Sequence, residues 1–177
     1  MEYVILGLLM CSDQTIYGFN RMFKEIISLF YHASFGSLRT TLTKLEGRSL
    51  IVSYQIIEKG RHKRYYRLTE KGKMYWCEWM RADFESIKPS LFYTKIFFMG
   101  LVDDQEDRIH IINHMTQHVL SSYHQLEKLS QHVSRIANDE KLQPFLDSQL
   151  DMLDLGLKST EVELNWLKNH LEKIRKG

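Results

Sequence analysis

Two groups of side chains in the first half of the chain have the types and spacing to bind a nucleic acid. The first group would share one face of a helix and comprises Ser37, Thr40, Thr41 and Lys44, with Arg39 beside them in sequence. Short hydroxyls and a lysine can approach base edges and phosphates without steric excess, and an arginine adds a second phosphate contact. An ordinary solvated face would have the same composition, so the neighbouring elements decide between the two interpretations.

The second group is basic and lies where the sequence predicts a β-hairpin. Segments 51–57 and 62–69 are rich in β-branched and aromatic residues, and the turn-like residues 58–61 separate them. The tip of this hairpin carries Lys59, Arg61, His62, Lys63 and Arg64. A single basic tip could be no more than a charged loop. A basic hairpin directly after an amphipathic third helix, however, is the order of a winged helix-turn-helix, whose wing contacts the DNA backbone or minor groove.

Three helices are predicted to position these two groups. Residues 1–10 form a compact apolar stretch, and Thr15 is suited to cap a second helix over 16–30. Ser34 is suited to cap the third helix, over 35–46. The face of the third helix predicted to pack on the other helices contains Phe35, Leu38, Leu42 and Leu45.

The charge of the chain is unevenly distributed. The 177 residues have a formal net charge of +2, yet residues 39–73 alone hold ten Lys and Arg against three Asp and Glu. Residues 1–88 carry a net charge of +5 and residues 89–177 a net charge of −3. A basic segment of this kind is the electrostatic signature of a protein that binds phosphates.

The composition is that of a globular protein, with 44% hydrophobic and 26% charged residues. No apolar run approaches the roughly 18–20 residues of a membrane span. The apolar first ten residues lack the basic region and cleavage site of a signal peptide. We therefore expect a cytoplasmic protein that makes no contact with a membrane.

Three stretches of the sequence resemble the PadR family of bacterial transcriptional regulators, named for phenolic-acid-response repressors. Residues 5–9 with 17–19 are similar to the family's ILGLL…HGYE, residues 36–51 to GSLYPALKRLEEEGLI, and residues 60–72 to GRPRRYYRLTEKG. The resemblance implies a DNA-binding winged helix. Arg39-Thr40 stand where the family usually has Tyr-Pro, so the role of that tyrosine does not carry over and the operator sequence is left open.

A connecting helix and a helical second half are predicted after the hairpin. The connecting helix is expected over residues 70–87, and Pro89 marks the boundary because a residue before proline disfavours helical conformation. We therefore expect a DNA-binding domain over 1–88 and a helical dimerisation domain over 89–177.

Two heptad registers run through the second half. The first places Ile112, Val119, Leu126 and Val133 at position a and Met115, Ser122, Leu129 and Ile136 at position d. The second places Leu150, Leu157, Leu164 and Leu171 at a and Leu153, Thr160, Leu167 and Ile174 at d. Four heptads in each segment predict an antiparallel, coiled-coil-like hairpin. The PadR resemblance implies that such helices form twofold dimers, and the leucines assigned to the dimer are Leu150, Leu153, Leu157, Leu164, Leu167 and Leu171.

Aromatic residues near the predicted boundary have two interpretations. They either pack between protomers or line a pocket for a flat, apolar or aromatic effector, and they comprise Trp76, Trp79, Phe92, Tyr93 and Phe97. His110, His114 and His118 have a spacing that could place two imidazoles on one metal, but the heptad register puts them on the solvated side. Cys11 and Cys77 fit no metal-ligand spacing. We expect no metal and no cofactor.

The sequence thus predicts a mainly α-helical protein with a small antiparallel hairpin, a winged helix-turn-helix joined to a helical domain. The expected function is a homodimeric, sequence-specific DNA-binding regulator, a repressor of a pseudo-palindromic operator that an aromatic effector could release. The alternative is an adaptor whose winged helix binds a protein partner. An enzyme is not expected, because the chain has no nucleophile elbow, phosphate loop or suitably spaced metal-ligand pair.

Overall fold

The computed structural model describes residues 1–29, 35–58, 60–82, 89–136 and 143–176. Contacts between residues divide the described chain into two compact units, the first ending at Asp104 and the second beginning at Gln105. Helix Pro89–Phe98 is therefore grouped with the first unit. The functional boundary expected between residues 88 and 89 falls at the edge of residues outside the described ranges and stays a prediction.

The first unit contains the three predicted helices and the predicted hairpin. Its elements are α1 (Glu2–Cys11), β1 (Gln14–Thr15), α2 (Ile16–Glu25), a 3-10 turn (Ile27–Leu29), α3 (Phe35–Gly47), β2 (Ile51–Glu58), β3 (Arg61–Leu68), α4 (Glu70–Arg81), α5 (Pro89–Phe98) and a second 3-10 turn (Met99–Leu101). The prediction of a mainly helical fold with a small antiparallel sheet is confirmed.

Helix α1 lies in the centre of the first unit's core. It is apolar on nearly all sides, as expected of a fully buried helix, and Val4, Ile5 and Leu6 are all inaccessible to solvent. The indole of Trp76 is also fully buried, and its Nε1 donates a hydrogen bond to the carbonyl oxygen of Tyr3 at 3.2 Å. This bond ties α4 to α1 and satisfies a polar group that burial would otherwise leave unpaired.

The sheet has one strand more than the sequence predicted. Its order is β1-β3-β2, with both pairings antiparallel. Strand β1 is only two residues long, and Gln14 pairs with Tyr66 and Thr15 with Tyr65. A strand this short has no periodicity by which the sequence could reveal it. Thr15 also caps α2 as expected, because its hydroxyl accepts a hydrogen bond from the Gly18 amide at 3.0 Å.

Two helices end earlier than their sequence patterns predicted. Helix α2 was expected to reach residue 30, but its α-helical part ends at Glu25 and a 3-10 turn follows. Helix α4 was expected to reach residue 87, but it ends at Arg81, and Ala82 has extended backbone angles. The buried Lys95 of α5 donates a hydrogen bond to the Ala82 carbonyl oxygen at 2.7 Å, and an ammonium group is favourable at a helix C-terminus.

The second unit is an antiparallel pair of long helices, α6 (Gln105–Ile136) and α7 (Gln143–Lys176). At one end, the side-chain amide of Gln105 donates to the carbonyl oxygen of Ile174 at 2.6 Å. At the other end, Val133 of α6 packs in a buried cluster with Leu146 and Leu153 of α7. Both contacts agree with the predicted helical hairpin.

The predicted heptad register agrees with the observed burial in α7 better than it does in α6. In α7 the d residues Leu153, Thr160 and Leu167 are all buried. In α6, Val133 at position a is buried, whereas Leu129, predicted at d, is exposed. A straight α-helix drifts by about 20° per heptad, which moves successive d positions sideways and brings successive a positions towards the partner helix. The assignment of Leu129 to the packed face was therefore wrong, and the side chain of Ile136 lies outside the described residues.

Candidate nucleic-acid interface

Helix α3 is held by three leucines and presents a polar outer face. Leu38, Leu42 and Leu45 are buried, and they lie at three- and four-residue spacing on one side of the helix. The exposed residues on the other side are Arg39, Thr40, Thr43 and Lys44. The predicted cap Ser34 and the side chain of Phe35 lie outside the described residues.

The outer face of α3 differs at its edges from the one predicted. Ser37 and Thr41 are half-buried, and the Thr41 hydroxyl donates to the Ser37 carbonyl oxygen at 2.6 Å. The Ser37 hydroxyl lies 3.6 Å from the sulfur of Met1, so this edge of α3 borders α1. Thr43 was missed by the sequence analysis, although its position midway between Arg39 and Gly47 on the helix could have placed it on the outer face. The exposed face is thus centred on Thr40 and Thr43.

The hairpin has the basic tip that the sequence predicted. Glu58 pairs with Arg61, so the two strands are joined by a connection of only two residues in the sequence. Gly60 has a φ angle of 75°, a conformation that side chains disfavour and that tight hairpin turns require. Arg61, His62, Lys63 and Arg64 are all exposed. Lys59 lies outside the described residues.

Three cations of β3 form ion pairs with carboxylates from three different elements. Lys63 pairs with Glu58 of β2, Arg64 with Glu46 of α3 at 3.0 Å, and Arg67 with Asp13 before β1 at 2.7 Å. Arg67 lowers the pKa of Asp13, chiefly by donating a hydrogen bond to its carboxylate. Lys63 lowers the pKa of Glu58 in the same way. The pairs of Arg64 and Arg67 connect the wing to the rest of the unit, whereas the pair of Lys63 and Glu58 lies within the hairpin.

Other cations of the same surface have no such partner. Within the part of the chain that the structure describes, Arg39, Lys44 and Arg61 form no ion pair. Arg39 and Lys44 lie on the outer face of α3, and Arg61 is the first residue of β3 after the turn. The ion pairs of the described residues therefore do not include these three side chains.

The predicted effector residues divide into a buried group and an exposed group. Trp76, Trp79 and Phe92 are buried, whereas Tyr93 and Phe97 are each 43% exposed. Trp79 stacks on the ring of Tyr3 with 4.3 Å between ring centroids. The buried three are thus part of the first unit's packing. An open cavity of about 350 Å³ exists elsewhere, and its lining comprises Arg48, Leu50, Lys71, Met74, Tyr75 and Glu78.

The leucines predicted to form the dimer lie on the side of α7 that contacts α6. Leu153 and Leu167 are each 1% exposed within one protomer. The others are half-buried and comprise Leu150, Leu157, Leu164 and Leu171. A second apolar stripe of α7 is exposed and comprises Phe145, Met152, Leu155, Val162 and Trp166. Its members are 7, 3, 7 and 4 residues apart, so they follow one face of the helix.

The described residues contain no group suited to hold a metal ion and no helix suited to span a membrane. Among the described residues, no three His, Cys, Asp or Glu side chains come together as a group that could hold a metal ion. The rings of His110 and His114 lie side by side, 4.2 Å apart. A search of the described helices found none with the length and apolar character needed to cross a bilayer.

Comparison with solved structures finds partial likenesses over nearly the full chain. The Bacillus subtilis PadR in complex with operator DNA is 22% identical, with 98% of each chain covered and a TM-score of 0.45. The PadR-like transcriptional regulator BC1756 from Bacillus cereus is 22% identical, with 98% of this chain and 94% of that chain covered and a TM-score of 0.45. The B. subtilis PadR in complex with p-coumaric acid is 21% identical, with 98% of each chain covered and a TM-score of 0.41. No curated protein matches the sequence.

A family model matches the part of the chain that carries α1 to α4. The match runs over residues 5–77 and is to the transcriptional regulator PadR-like family. It includes the outer face of α3 and the basic hairpin, and it describes regulators rather than enzymes. Residues 5–77 thus match the PadR-like family of transcriptional regulators, the family that the sequence resemblance named.

Proposed function

We propose that this protein is a cytoplasmic, sequence-specific DNA-binding regulator that acts as a dimeric repressor on a pseudo-palindromic operator. The observation that carries the proposal is the surface formed by the outer face of α3 and the wing tip. Arg39, Lys44 and Arg61 are exposed there and form no ion pair with any described residue, and Thr40 and Thr43 on α3 add exposed polar side chains. Cations that meet phosphates position a helix on DNA, and short polar side chains read base edges in the major groove.

The exposed stripe of α7 supports the proposal of a homodimer. Large apolar side chains along one face of a helix are a common mark of a protein-protein contact. Leu155 and Val162 are 68% and 69% exposed in the protomer. Because a twofold dimer presents two recognition helices to two half-sites, dimerisation also suits a reader of pseudo-palindromic DNA. We therefore assign this stripe, rather than Leu153 and Leu167, to the contact with a second copy.

A regulator of this kind needs a signal, and the exposed aromatic side chains of α5 are the proposed place for it. Tyr93 and Phe97 are four residues apart on α5 and are partly exposed. We propose that they contact a flat aromatic effector that weakens DNA binding. p-Coumaric acid is the first compound to test, by titrating it into the protein-DNA complex.

The test of DNA binding is an electrophoretic shift with the duplex upstream of the chain's own coding sequence. We expect retention at low salt and a linear fall of log affinity with log salt, with a slope of about −0.9 per neutralised phosphate. Arg61→Ala should make the slope shallower by the amount that one phosphate contact contributes. Lys168→Ala, at an exposed position of α7, should not change the slope. No retained duplex at low salt would favour the alternative, an adaptor that binds a protein.

The test of dimerisation is sedimentation equilibrium on two charge-matched variants of α7. Leu155→Glu places a charge in the exposed stripe and should shift the protein towards a monomer. Asn165→Glu places the same charge at an exposed position outside the stripe and should leave the dimer intact. A dimer that persists in Leu155→Glu would contradict the assignment of this face.

A further inference from the structure

The ion pair between Arg64 and Glu46 joins the wing to α3, the proposed recognition helix. The Nη2 atom of Arg64 donates to both carboxylate oxygens of Glu46, at 3.0 and 3.1 Å. The guanidinium also lies over the ring of Tyr66, 5.4 Å from its centroid. Two independent contacts therefore hold this side chain in one position, although about half of it is exposed.

Glu46 differs from the other carboxylates that pair with β3. Glu58 lies on the neighbouring strand and Asp13 precedes β1, so both are outside α3. Glu46 lies on α3 itself, two residues after Lys44 and seven after Arg39. A helical interval of seven residues places Glu46 on the same side of α3 as Arg39. The negative charge is thus built into the helix that presents the phosphate-binding cations.

We propose that Glu46 is a specificity-determining residue, which neutralises Arg64 and so limits the attraction of the α3–wing surface for DNA of any sequence. This inference rests on the proposed function, since it requires that the surface binds DNA. Sequence-independent binding comes almost entirely from cations that meet phosphates, whereas discrimination comes from base contacts. An arginine paired with a carboxylate of its own protein adds little to sequence-independent binding. The pair leaves the base contacts, and so the discrimination between sequences, unchanged.

The same geometry makes Glu46 a positioning residue for Arg64. The pair uses Nη2, so the Nε and Nη1 atoms of the guanidinium are not involved in it. Replacement of Glu46 by glutamine keeps an oxygen able to accept a hydrogen bond but removes the negative charge. The charge of Arg64 is then no longer compensated, and the side chain can pair with a phosphate instead.

The experiment compares four proteins on a duplex of random sequence, by fluorescence anisotropy over a range of salt concentrations. They are the wild type, Glu46→Gln, Arg64→Gln and the double variant with both changes. We expect Glu46→Gln to bind more tightly at low salt and to have a slope steeper by about 0.9. Between about 50 and 200 mM salt, that difference is an additional loss of roughly 3.5-fold in affinity. The double variant should return to a slope within error of the wild type.

A matched control separates this local effect from net charge. Glu172→Gln removes one negative charge from an exposed position near the end of α7, and it should leave the slope unchanged. Circular dichroism on each variant verifies that the helices are intact. A Glu46→Gln slope equal to that of the wild type, or one matched by Glu172→Gln, would overturn the proposal. So would a steeper slope that persists in the double variant, because Arg64 would then not be its source.

Failure of the inference and failure of the proposed function give different results. If the wild type binds no duplex at low salt, the proposed function fails and this inference fails with it. If the wild type binds with a salt-dependent affinity that Arg61→Ala reduces, the proposed function stands. An unchanged slope in Glu46→Gln under those conditions refutes only the role of Glu46.

Discussion

Gly72 lies where two backbone segments of the winged helix approach most closely, and its replacement by alanine should destabilise the fold. The residue is buried in the first turn of α4. A Cβ atom added there would overlap the carbonyl oxygen of Leu50, and it would lie 3.0 Å from the Leu50 carbonyl carbon and 2.8 Å from Leu68 Cδ1. A backbone carbonyl cannot rotate aside as the end of a flexible side chain can, so α4 and the start of β2 would have to separate.

The cost can be worked out from the contacts that this separation disturbs. Overpacking a tight site costs about 1–3 kcal/mol. The Leu50 carbonyl oxygen also accepts hydrogen bonds from the hydroxyl and the amide of Thr69, at 3.0 and 3.2 Å, and each such bond contributes about 1 kcal/mol. We therefore expect Gly72→Ala to lower the free energy of unfolding by about 3 kcal/mol or more. For a chain of this length that is a fall in Tm of about 6–12 °C.

Thermal unfolding followed by circular dichroism tests this prediction. Gly100→Ala is the matched control, because a Cβ atom there has no neighbour within 4 Å, and its Tm should stay within about 2 °C of the wild type. A Gly72→Ala protein as stable as this control would refute the reasoning. It would mean that the contact between α4 and Leu50 relaxes at little cost.

Three further predictions concern single side chains. Asp13→Asn should reduce stability at neutral pH but not in acid, measured by urea unfolding across pH. The folded-state pKa of Asp13 is lowered by Arg67, so the pair stabilises the fold above the unfolded pKa and this contribution is lost as pH falls through the folded pKa. Leu153→Ala should cost about 2–5 kcal/mol by creating a cavity, whereas Lys168→Ala, at an exposed position of α7 outside the apolar stripe, should cost under about 0.5 kcal/mol in urea unfolding. Thr69→Ala should cost about 1 kcal/mol, since its hydroxyl accepts from the amide of Gly72, the third residue of α4, and equal midpoints in urea would contradict that role.

The elements that position the candidate site could be predicted because their patterns are local. The apolar face of α3 is evident from the three- and four-residue spacing of Leu38, Leu42 and Leu45, and all three are buried. The hairpin follows from two β-rich segments around Gly60, whose φ of 75° is the conformation that its position requires. The short strand β1 could not be predicted, because its pairing with Tyr65 and Tyr66 is a tertiary contact about fifty residues away in sequence.

The exact composition of the outer face of α3 depended on information that the sequence does not contain. Residue type favoured Ser37 and Thr41 as part of that face, since hydroxyl side chains suit a DNA groove. Both are half-buried instead, and the Ser37 hydroxyl lies against Met1, the residue before α1. Thr43 is exposed, because none of the described elements covers the middle of that face.

The ion pairs change what the basic composition of residues 39–73 means for DNA binding. A count of charges treats every lysine and arginine as available to a phosphate, but Arg48, Lys63, Arg64 and Arg67 each pair with a carboxylate of the same protein. Two of those carboxylates, Glu2 and Asp13, lie outside the basic segment in sequence.

A surface that carries a formal excess of cations can therefore be close to neutral along β3 and positive mainly at α3 and the wing tip. Under the proposed function, phosphate contacts would be concentrated at α3 and the wing tip, where they would fix the register of the helix on DNA. The paired cations of β3 then serve mainly to connect this strand to the neighbouring elements. The salt slope should then be set by Arg39, Lys44 and the wing tip, and it should fall well short of the value that the full charge count predicts.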